Sequence, residues 1–313
     1  MTRPKTRINR RCVAFFVTLG LLVLAFAGPL LQLAAYAAND ELHSHAFLIP
    51  VVTLYCLYVN RRQWPTTFRT DALPAIALAG IGLLALAALR IGLHSGLVFT
   101  EVDHLALTTF GFVTLLLAAV AATLGRDFLR AALFPLLFLY FLMPMPTLVN
   151  HWFTVSLQHT TAFVLPSLFH ISGTPVARTG TIFMLPGLTL EVAEECSGIR
   201  SSLVLLITGL LSGYFVLNSR TNRTVLALAF FPIGVLRNAA RILFVALMTL
   251  HVDPGIIDGP LHHSGGPPFF VLSLVPLFLL LWLMRLGERR SRAARYTTDK
   301  AKPDTRKTKE NIE

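Results

Sequence analysis

Long apolar runs recur along the whole chain and constrain its fold more than any other feature. Of the 313 residues, 54% are hydrophobic and only 14% are charged, whereas an ordinary soluble domain carries about 25% charged residues. A run of about 20 apolar residues is long enough to cross the hydrocarbon core of a bilayer as a helix. Few soluble folds could bury so many runs of this length. The sequence therefore predicts an all-α, multi-pass membrane protein.

We expect about eight transmembrane helices in this chain. The predicted spans cover residues 13–36, 45–60, 72–94, 104–124, 131–149, 197–217, 224–250 and 268–286. No clear signal-peptide cleavage site follows the first run, so we expect that run to be retained as a helix.

The segment between the fifth and sixth spans is more polar than its surroundings. Residues 151–170 mix aromatic and polar side chains, which predicts an amphipathic helix lying at the membrane interface. Residues 182–185 and 188–192 flank Pro186-Gly187 and are rich in strand-forming side chains, which predicts a β-hairpin. We therefore expect a small helix-plus-hairpin element outside the membrane, immediately before the sixth span.

The basic residues are distributed like orientation signals. The net charge of +11 is divided among short clusters between the apolar runs, so we expect no nucleic-acid partner. Eight spans place both termini on one side of the membrane, and that side receives 22 of the 27 Lys and Arg residues. By the positive-inside rule, both termini are expected in the cytoplasm. The hairpin and the loop at 251–267 then lie on the extracytoplasmic face.

Three polar residues interrupt the seventh apolar run: Arg237, Asn238 and Arg241. An arginine inside the hydrocarbon costs at least about 2.5 kcal/mol. Spacings of three and four residues place the three side chains on one helix face. An arginine near the end of a span can also snorkel to lipid phosphates. Because two arginines and an amide share the face, we favour a polar cavity.

The stretch around Cys196 at the start of the sixth span combines a thiol with carboxylates, small residues and an arginine. Arg200 follows Cys196 by four residues, so a helix that includes both would carry them on one face. A cysteine at a helix N-terminus is favoured as a thiolate, the nucleophilic form. The alternative is an ordinary packing cysteine, which is how we interpret Cys12 and Cys56; no disulfide is expected.

Two adjacent histidines, His262 and His263, lie in the loop predicted on the same face as Cys196. A histidine within reach of a cysteine can serve as general base and then as general acid. Solvated loop histidines, or a metal site with Asp258, are the other interpretations. The chain has no regular Cys/His ligand spacing, so no metal is expected.

Three motifs, in this order, resemble the signature elements of the exosortase family. Glu194-Glu195-Cys196-Ser197-Gly198-Ile199-Arg200-Ser201 is similar to E-x-C-S-G-[IL]-R-S, Asn238-Ala239-Ala240-Arg241-Ile242 to N-x-x-R-[VI], and His262-x-x-x-Gly266-x-x-Phe269-Phe270 to H-x-x-x-G-x-x-F-F. The resemblance covers residues 175–285, while the first five spans match only in character. A Gly-Gly-Pro-Pro run stands where many relatives have an aromatic residue after the glycine.

The resemblance implies a polytopic transpeptidase of the bacterial inner membrane that needs no cofactor. It makes Cys196 the nucleophile, Arg241 the catalytic arginine and His262 the catalytic histidine. Supporting roles are assigned to five further residues: Arg200, Glu194, Asn238, Arg237 and His263. Of these, Arg237 is the second candidate for the catalytic arginine, and His263 does not fit the H-x-x-x-G spacing.

The resemblance also implies the partners. They are exported proteins that end in a PEP-CTERM-like signal, which is a short motif followed by a transmembrane helix and a basic cluster. The acceptor would be linked to a lipid or to an exopolysaccharide, and membrane lipids surround the enzyme. From composition and span positions, we expect four regions: a cytoplasmic N-terminus (1–11), an N-terminal bundle (12–149), a catalytic region (150–286) and a disordered basic tail (287–313).

Two other activities remain open from the sequence. One is a protease that only hydrolyses its thioester and transfers nothing. The other is a transporter or lipid-carrier-binding protein, in which Arg237, Arg241 and the histidines bind an anionic headgroup.

Overall fold

The structure, a computed structural model, describes residues 5–40, 42–65, 71–192, 198–255 and 266–301. Helices make up most of this chain, and one small three-stranded sheet is the only other regular element among the described residues. The predicted class, an all-α membrane protein, is confirmed. The chain divides into two compact units, residues 1–151 and 152–313.

The first unit is a helical bundle built around α5. Its helices are α1 (Lys5–Ala25), α2 (Ala27–Asn39), α3 (Leu48–Val59), α4 (Ala72–His94), α5 (Glu101–Thr123), α6 (Arg126–Ala131) and α7 (Leu133–Phe138). Short 3-10 helices lie at Ser44–Phe47, Asn60–Gln63 and Leu139–Leu142. The central helix buries Val113 and Ala121 completely, whereas α4 leaves most of its apolar side chains exposed, as expected of a helix that faces lipid.

The second unit contains the sheet and the site helices. Helix α8 (Thr147–Ile171) leads into it from the first unit, and strands β1 (Ala177–Thr179), β2 (Ile182–Leu185) and β3 (Leu188–Glu191) follow. The chain then forms helices α9 (Ile199–Val216), α10 (Arg220–Leu228), α11 (Phe230–His251) and α12 (Gly266–Ala301).

Prolines explain where two of the long apolar runs are broken. Helix α1 ends at Ala25, four residues before Pro29, and the chain bends by 68° into α2. Helix α10 ends at Leu228, four residues before Pro232. A proline ring clashes with the carbonyl four residues earlier and donates no hydrogen bond to it. Each break is therefore fixed by local sequence.

The residues that the structure describes contain fewer membrane-length helices than the predicted eight. Among the described residues, five helical stretches are long and apolar enough, with α10 and α11 counted together as one stretch: Ala72–His94, Glu101–Thr123, Ile199–Val216, Arg220–His251 and Pro268–Arg292. The count rises to seven if two interrupted pairs each cross as one span: Arg10–Ala25 with Ala27–Asn39, and Leu133–Leu142 with Thr147–Ile171.

The predicted second span is shorter in the structure than a membrane crossing requires. Helix α3 has 12 residues, about 18 Å of helix, which is well short of the roughly 30 Å hydrocarbon core. The predicted orientation of the chain in the membrane depends on an even number of spans. The side of the membrane on which each loop lies therefore stays a prediction.

The prediction of one continuous span over 131–149 is wrong. Helix α7 and the 3-10 helix that follows it end at Leu142, and α8 begins at Thr147. Pro144 and Pro146 lie in the gap, and each disfavours helical geometry at the residue before it. The helix expected at 151–170 therefore starts four residues earlier than predicted.

The predicted hairpin is confirmed. Strands β2 and β3 pair antiparallel, with Leu185 opposite Leu188 across the Pro186-Gly187 turn. Gly187 has a φ of 79°, a conformation that glycine adopts without strain. Strand β1, which pairs with β2, was not predicted, because its three exposed residues show no alternation of apolar and polar side chains.

One face of the sheet is packed into the core of the second unit. Phe183 and Leu190 lie in one hydrophobic cluster with Phe169 of α8 and with Ala239 and Ala246 of α11. Burying side chains of this size stabilises the arrangement by roughly 1.5–3 kcal/mol each. The core therefore joins α8, α11 and the hairpin, which are three of the elements around the candidate site.

Candidate active site

Helix α11 carries the polar side chains of the site. Arg237 is 8% exposed and Asn238 is 1% exposed, and Arg241 is half-buried one helical turn further along. Arginine is almost never buried to this extent without partners. The sequence prediction that these residues point away from lipid and into a polar environment is consistent with their burial.

Arg237 contacts the first residue before α9. Its Nη2 donates to the carbonyl oxygen of Gly198 at 3.0 Å. The same oxygen accepts the backbone N–H of Ser202 at 3.0 Å and the hydroxyl of Ser201 at 3.2 Å. Three donors therefore converge on one carbonyl, at the point where the chain enters the helix.

Gly198 is required at this point for two physical reasons. Its φ is 70° and its ψ is 25°, in the left-handed region that disfavours residues with a Cβ. A Cβ at this position would also collide with the Arg237 guanidinium and would lie 3.4 Å from Asn238 Oδ1. The glycine of the Cys-Ser-Gly sequence thus shapes the turn and leaves room for the arginine.

Small residues let α9 and α11 approach each other beside this contact. Ser202 is buried, and its hydroxyl lies 3.5 Å from Arg237 Nη2. A Cβ added to Gly234 would come within 2.7 Å of the same hydroxyl. A larger side chain at either position would separate the helices and pull Arg237 away from Gly198.

Helix α8 supplies two contacts that the sequence did not predict. Thr161, which is fully buried, accepts a hydrogen bond from Asn238 Nδ2 at 3.4 Å. Gln158 donates from Nε2 to the carbonyl of Val192 at 2.6 Å. A signal was present in the sequence, since Thr154, Gln158 and Thr161 recur at helical spacing on the side of α8 that also carries Leu157 and Leu165.

The predicted nucleophile and histidines lie outside the described residues. This applies to four of the predicted site residues: Cys196, Glu194, His262 and His263. Arg200 is exposed in the first turn of α9. The helical spacing expected between Cys196 and Arg200 does not apply, because α9 begins only at Ile199, after the left-handed Gly198.

Both ends of the segment that contains Cys196 are nevertheless fixed by contacts. At one end Val192, fully buried, donates its N–H to Thr181 at 3.0 Å and accepts from Gln158. At the other end Gly198 accepts from Arg237. Helices α8 and α11 therefore each provide one side chain that holds the chain on either side of residues 193–197.

The site is rich in hydrogen-bond donors. Arg237 Nη1 is buried and has no hydrogen-bond partner among the described residues. Arg241 adds a second guanidinium on the same helix. Such donors suit a carbonyl oxygen or an oxyanion. In the part of the chain that the structure describes, no three His, Cys, Asp or Glu residues are grouped as a metal site would require.

These features define a polytopic membrane protein with a donor-rich polar site between its helices. The comparison with protein families is more specific: a family model for transmembrane exosortases matches residues 35–279, more than half of the chain. The chain belongs to the transmembrane exosortase family. No curated protein and no solved structure matches it significantly.

The family match extends well beyond the three motifs. It begins within α2 and ends within α12, so it includes spans that resembled the family only in character. Membership in this family supports a sortase-like role at the membrane.

Proposed function

We propose that the chain is a membrane-embedded cysteine transpeptidase that cleaves the C-terminal sorting signals of exported proteins. Its family membership supports this proposal. The observation that carries it is the hydrogen bond from Arg237 to the Gly198 carbonyl. This bond joins α11, the helix that bears Arg241, to the chain two residues after Cys196.

The Arg237–Gly198 hydrogen bond limits how far Arg241 and Cys196 can lie from each other. Arg241 follows Arg237 by four residues, which is about 6 Å along a helix. Cys196 precedes Gly198 by two residues, and two residues of chain span at most about 7 Å. The proposed nucleophile and the proposed catalytic arginine thus belong to segments that meet at one hydrogen bond, although 45 residues separate them in the sequence.

In the first proposed step, the Cys196 thiolate attacks the carbonyl carbon of the scissile peptide bond. A carbon–sulfur bond forms and the carbonyl oxygen becomes an oxyanion. Arg241 donates hydrogen bonds to that oxygen, a role worth roughly 3 kcal/mol per donor. His262, protonated by the thiol, gives its proton to the leaving amine as the carbon–nitrogen bond breaks. The product is a thioester on Cys196.

In the second proposed step, an acceptor resolves the thioester. An amine or hydroxyl of the acceptor attacks the thioester carbon, and its proton passes to His262. The thiolate leaves, and the exported protein is joined to the acceptor. Water in place of the acceptor would give simple hydrolysis.

The remaining predicted residues are assigned supporting roles. Asn238 holds α11 against α8 through Thr161. Arg200, exposed at the start of α9, and Glu194 would contact the substrate or each other. His263 is the second candidate for the histidine.

The substrate would enter from the bilayer. We propose that the transmembrane helix of its sorting signal lies beside α9 and α11, which are apolar along most of their length. The scissile bond would then sit at the extracytoplasmic surface, with both termini of the enzyme in the cytoplasm. The acceptor would be a lipid- or polysaccharide-linked group.

Comparing the C-termini of exported membrane proteins tests the proposal in cells. Cells that lack this chain are compared with the same cells producing it. We expect a set of proteins that keep their C-terminal helix only when the chain is absent. A mass added to the new C-terminus would indicate transfer, and a free carboxylate would indicate hydrolysis. Identical C-termini in both cells, with the chain present at normal levels, would contradict the proposal.

A further inference from the structure

We propose that Gln158 and Arg237 are positioning residues for the reaction, and that they anchor the two backbone carbonyls on either side of residues 193–197. The proposal rests on the function proposed above, in which Cys196 is the nucleophile. It assigns Arg237 a role other than that of the catalytic arginine, and it adds Gln158, which no motif contains.

Gln158 anchors the chain where it leaves the sheet. Strand β3 ends at Glu191, so the Val192 carbonyl is the first one beyond the last paired strand residue. Gln158 Nε2 donates to this carbonyl at 2.6 Å, across 34 residues of sequence. The N–H of Val192 is held at 3.0 Å by Thr181. The N–H and the carbonyl of Val192 are therefore both held, one by the turn that precedes β2 and one by α8.

Arg237 anchors the chain where it enters α9. The Gly198 carbonyl already accepts the Ser202 N–H as the first hydrogen bond of the helix. It therefore does not need a buried guanidinium to be satisfied. Burying a charge is costly unless the charge is paired and hydrogen-bonded. Of the two hydrogen bonds that Arg237 Nη2 donates, the one to Gly198 is the shorter, and it fixes the position of Gly198.

The two anchors lie on helices that share one packed core. Helices α8 and α11 both contribute to the hydrophobic cluster that includes the hairpin, with Leu165 and Phe169 from α8 and Ala239 from α11. Side chains in such cores sit in fixed rotamers. The helices that carry Gln158 and Arg237 are therefore held in place by this core, and the two side chains bond the carbonyls of Val192 and Gly198 to these helices.

Rigid ends matter because catalysis depends on fine alignment of the attacking atom. A displacement of about 1 Å at a reacting group can cost on the order of 100-fold in rate. Five residues separate Val192 from Gly198, and a stretch of that length with free ends would sample many positions. Loss of either anchor should slow the chemical step without changing how the substrate helix binds.

The test uses purified full-length protein and a substrate that carries a sorting signal identified by the comparison of C-termini. Gln158→Glu has nearly the same shape but removes the Nε2 donor. We expect kcat to fall by about 10- to 100-fold, with KM unchanged within about twofold. Gln158→Asn keeps the amide but is too short to reach Val192, so we expect the same loss. If Gln158→Glu does not purify as a single species, Gln158→Asn is used for the measurement in its place.

Two variants of Arg237 test the second anchor, and they should lower kcat to different extents. Arg237→Met should lower kcat to a similar extent, and Arg237→Lys should restore part of the loss, because it keeps a charged donor. A residue with only a structural role would show no such rescue. Thr160→Val is the matched control on α8, since the Thr160 hydroxyl donates to Ser156 within its own helix. It should leave both kcat and KM unchanged.

The outcomes separate this inference from the proposed function. Retained cleavage in Cys196→Ala would overturn the proposed function. If cleavage depends on Cys196 but both Gln158 variants keep the wild-type kcat, the anchoring role is wrong. It is also wrong if the Gln158 variants raise KM and leave kcat unchanged, or if Arg237→Lys is no better than Arg237→Met.

Discussion

Replacing Cys196 by alanine is expected to reduce cleavage of a sorting signal to background, a loss of at least about 10⁴-fold in kcat. The methyl group of alanine cannot form the thioester on which both proposed steps depend. The measurement is turnover of a signal-bearing substrate by purified protein reconstituted in vesicles. Cys12→Ala is the matched control, because Cys12 is a half-buried cysteine of α1 with no assigned role.

The opposite result would point to a different class of protein. Suppose that Cys196→Ala and Cys12→Ala are equally active in cells while Arg241→Ala is not. The arginines would then be serving a binding or transport site for an anionic headgroup, as one alternative from the sequence holds. The cysteine and arginine variants must therefore be compared in the same experiment.

Replacing Arg241 by methionine is expected to lower kcat by about 100- to 1,000-fold. Methionine retains much of the apolar length of arginine but donates no hydrogen bond to the oxyanion. Because this interaction forms in the transition state, KM should change little. Arg241→Lys should recover part of the rate, since it keeps a charge but loses the planar fork of donors.

Variants of two other arginines show whether the loss of kcat is specific to Arg241. Arg178→Met is a control, because Arg178 is exposed on β1 and donates to Gly180 within its own turn. Arg237→Met is expected to lower kcat less than Arg241→Met, as befits a positioning residue. If Arg237→Met had the larger effect and Arg241→Met none, the catalytic assignment of the two arginines would be reversed.

Much of the fold could be predicted because hydropathy is a local property. Helices α4 and α5 begin and end within a few residues of the predicted spans. The hairpin was predictable because its signal is also local: Pro186-Gly187 specifies its turn. The interruptions were also encoded locally, by prolines such as Pro29 and Pro144, but apolar runs that continue through them conceal the breaks.

The contacts of the site were harder to predict from the sequence, because they join segments that are distant in the chain. Burial of Arg237 and Asn238 could be expected from the apolar residues around them. Their partners could not, since Gly198 and Thr161 lie 39 and 77 residues away in the chain. Gln158 was missed because a helix assumed to lie at the membrane interface would leave its polar side chains in water, where no partner is needed.

The contacts of Arg237 suit a different role from the one that its position in the sequence suggests. Sequence spacing alone makes it the second candidate for the catalytic arginine, four residues from Arg241. In the structure it is buried against the Gly198 carbonyl and the Ser202 hydroxyl, which suits an anchor. Half-buried Arg241 is the more suitable of the two to meet a substrate.

The central claim is that Cys196 forms a thioester with the exported protein, and the most direct measurement is detection of that bond. Wild-type protein is mixed with substrate and quenched in acid within one turnover, and its peptides are identified by mass spectrometry. We expect the substrate fragment attached at Cys196, absent in Cys196→Ala and released by hydroxylamine. Cleavage that proceeds in wild-type protein with no adduct on Cys196 at any time would contradict the account.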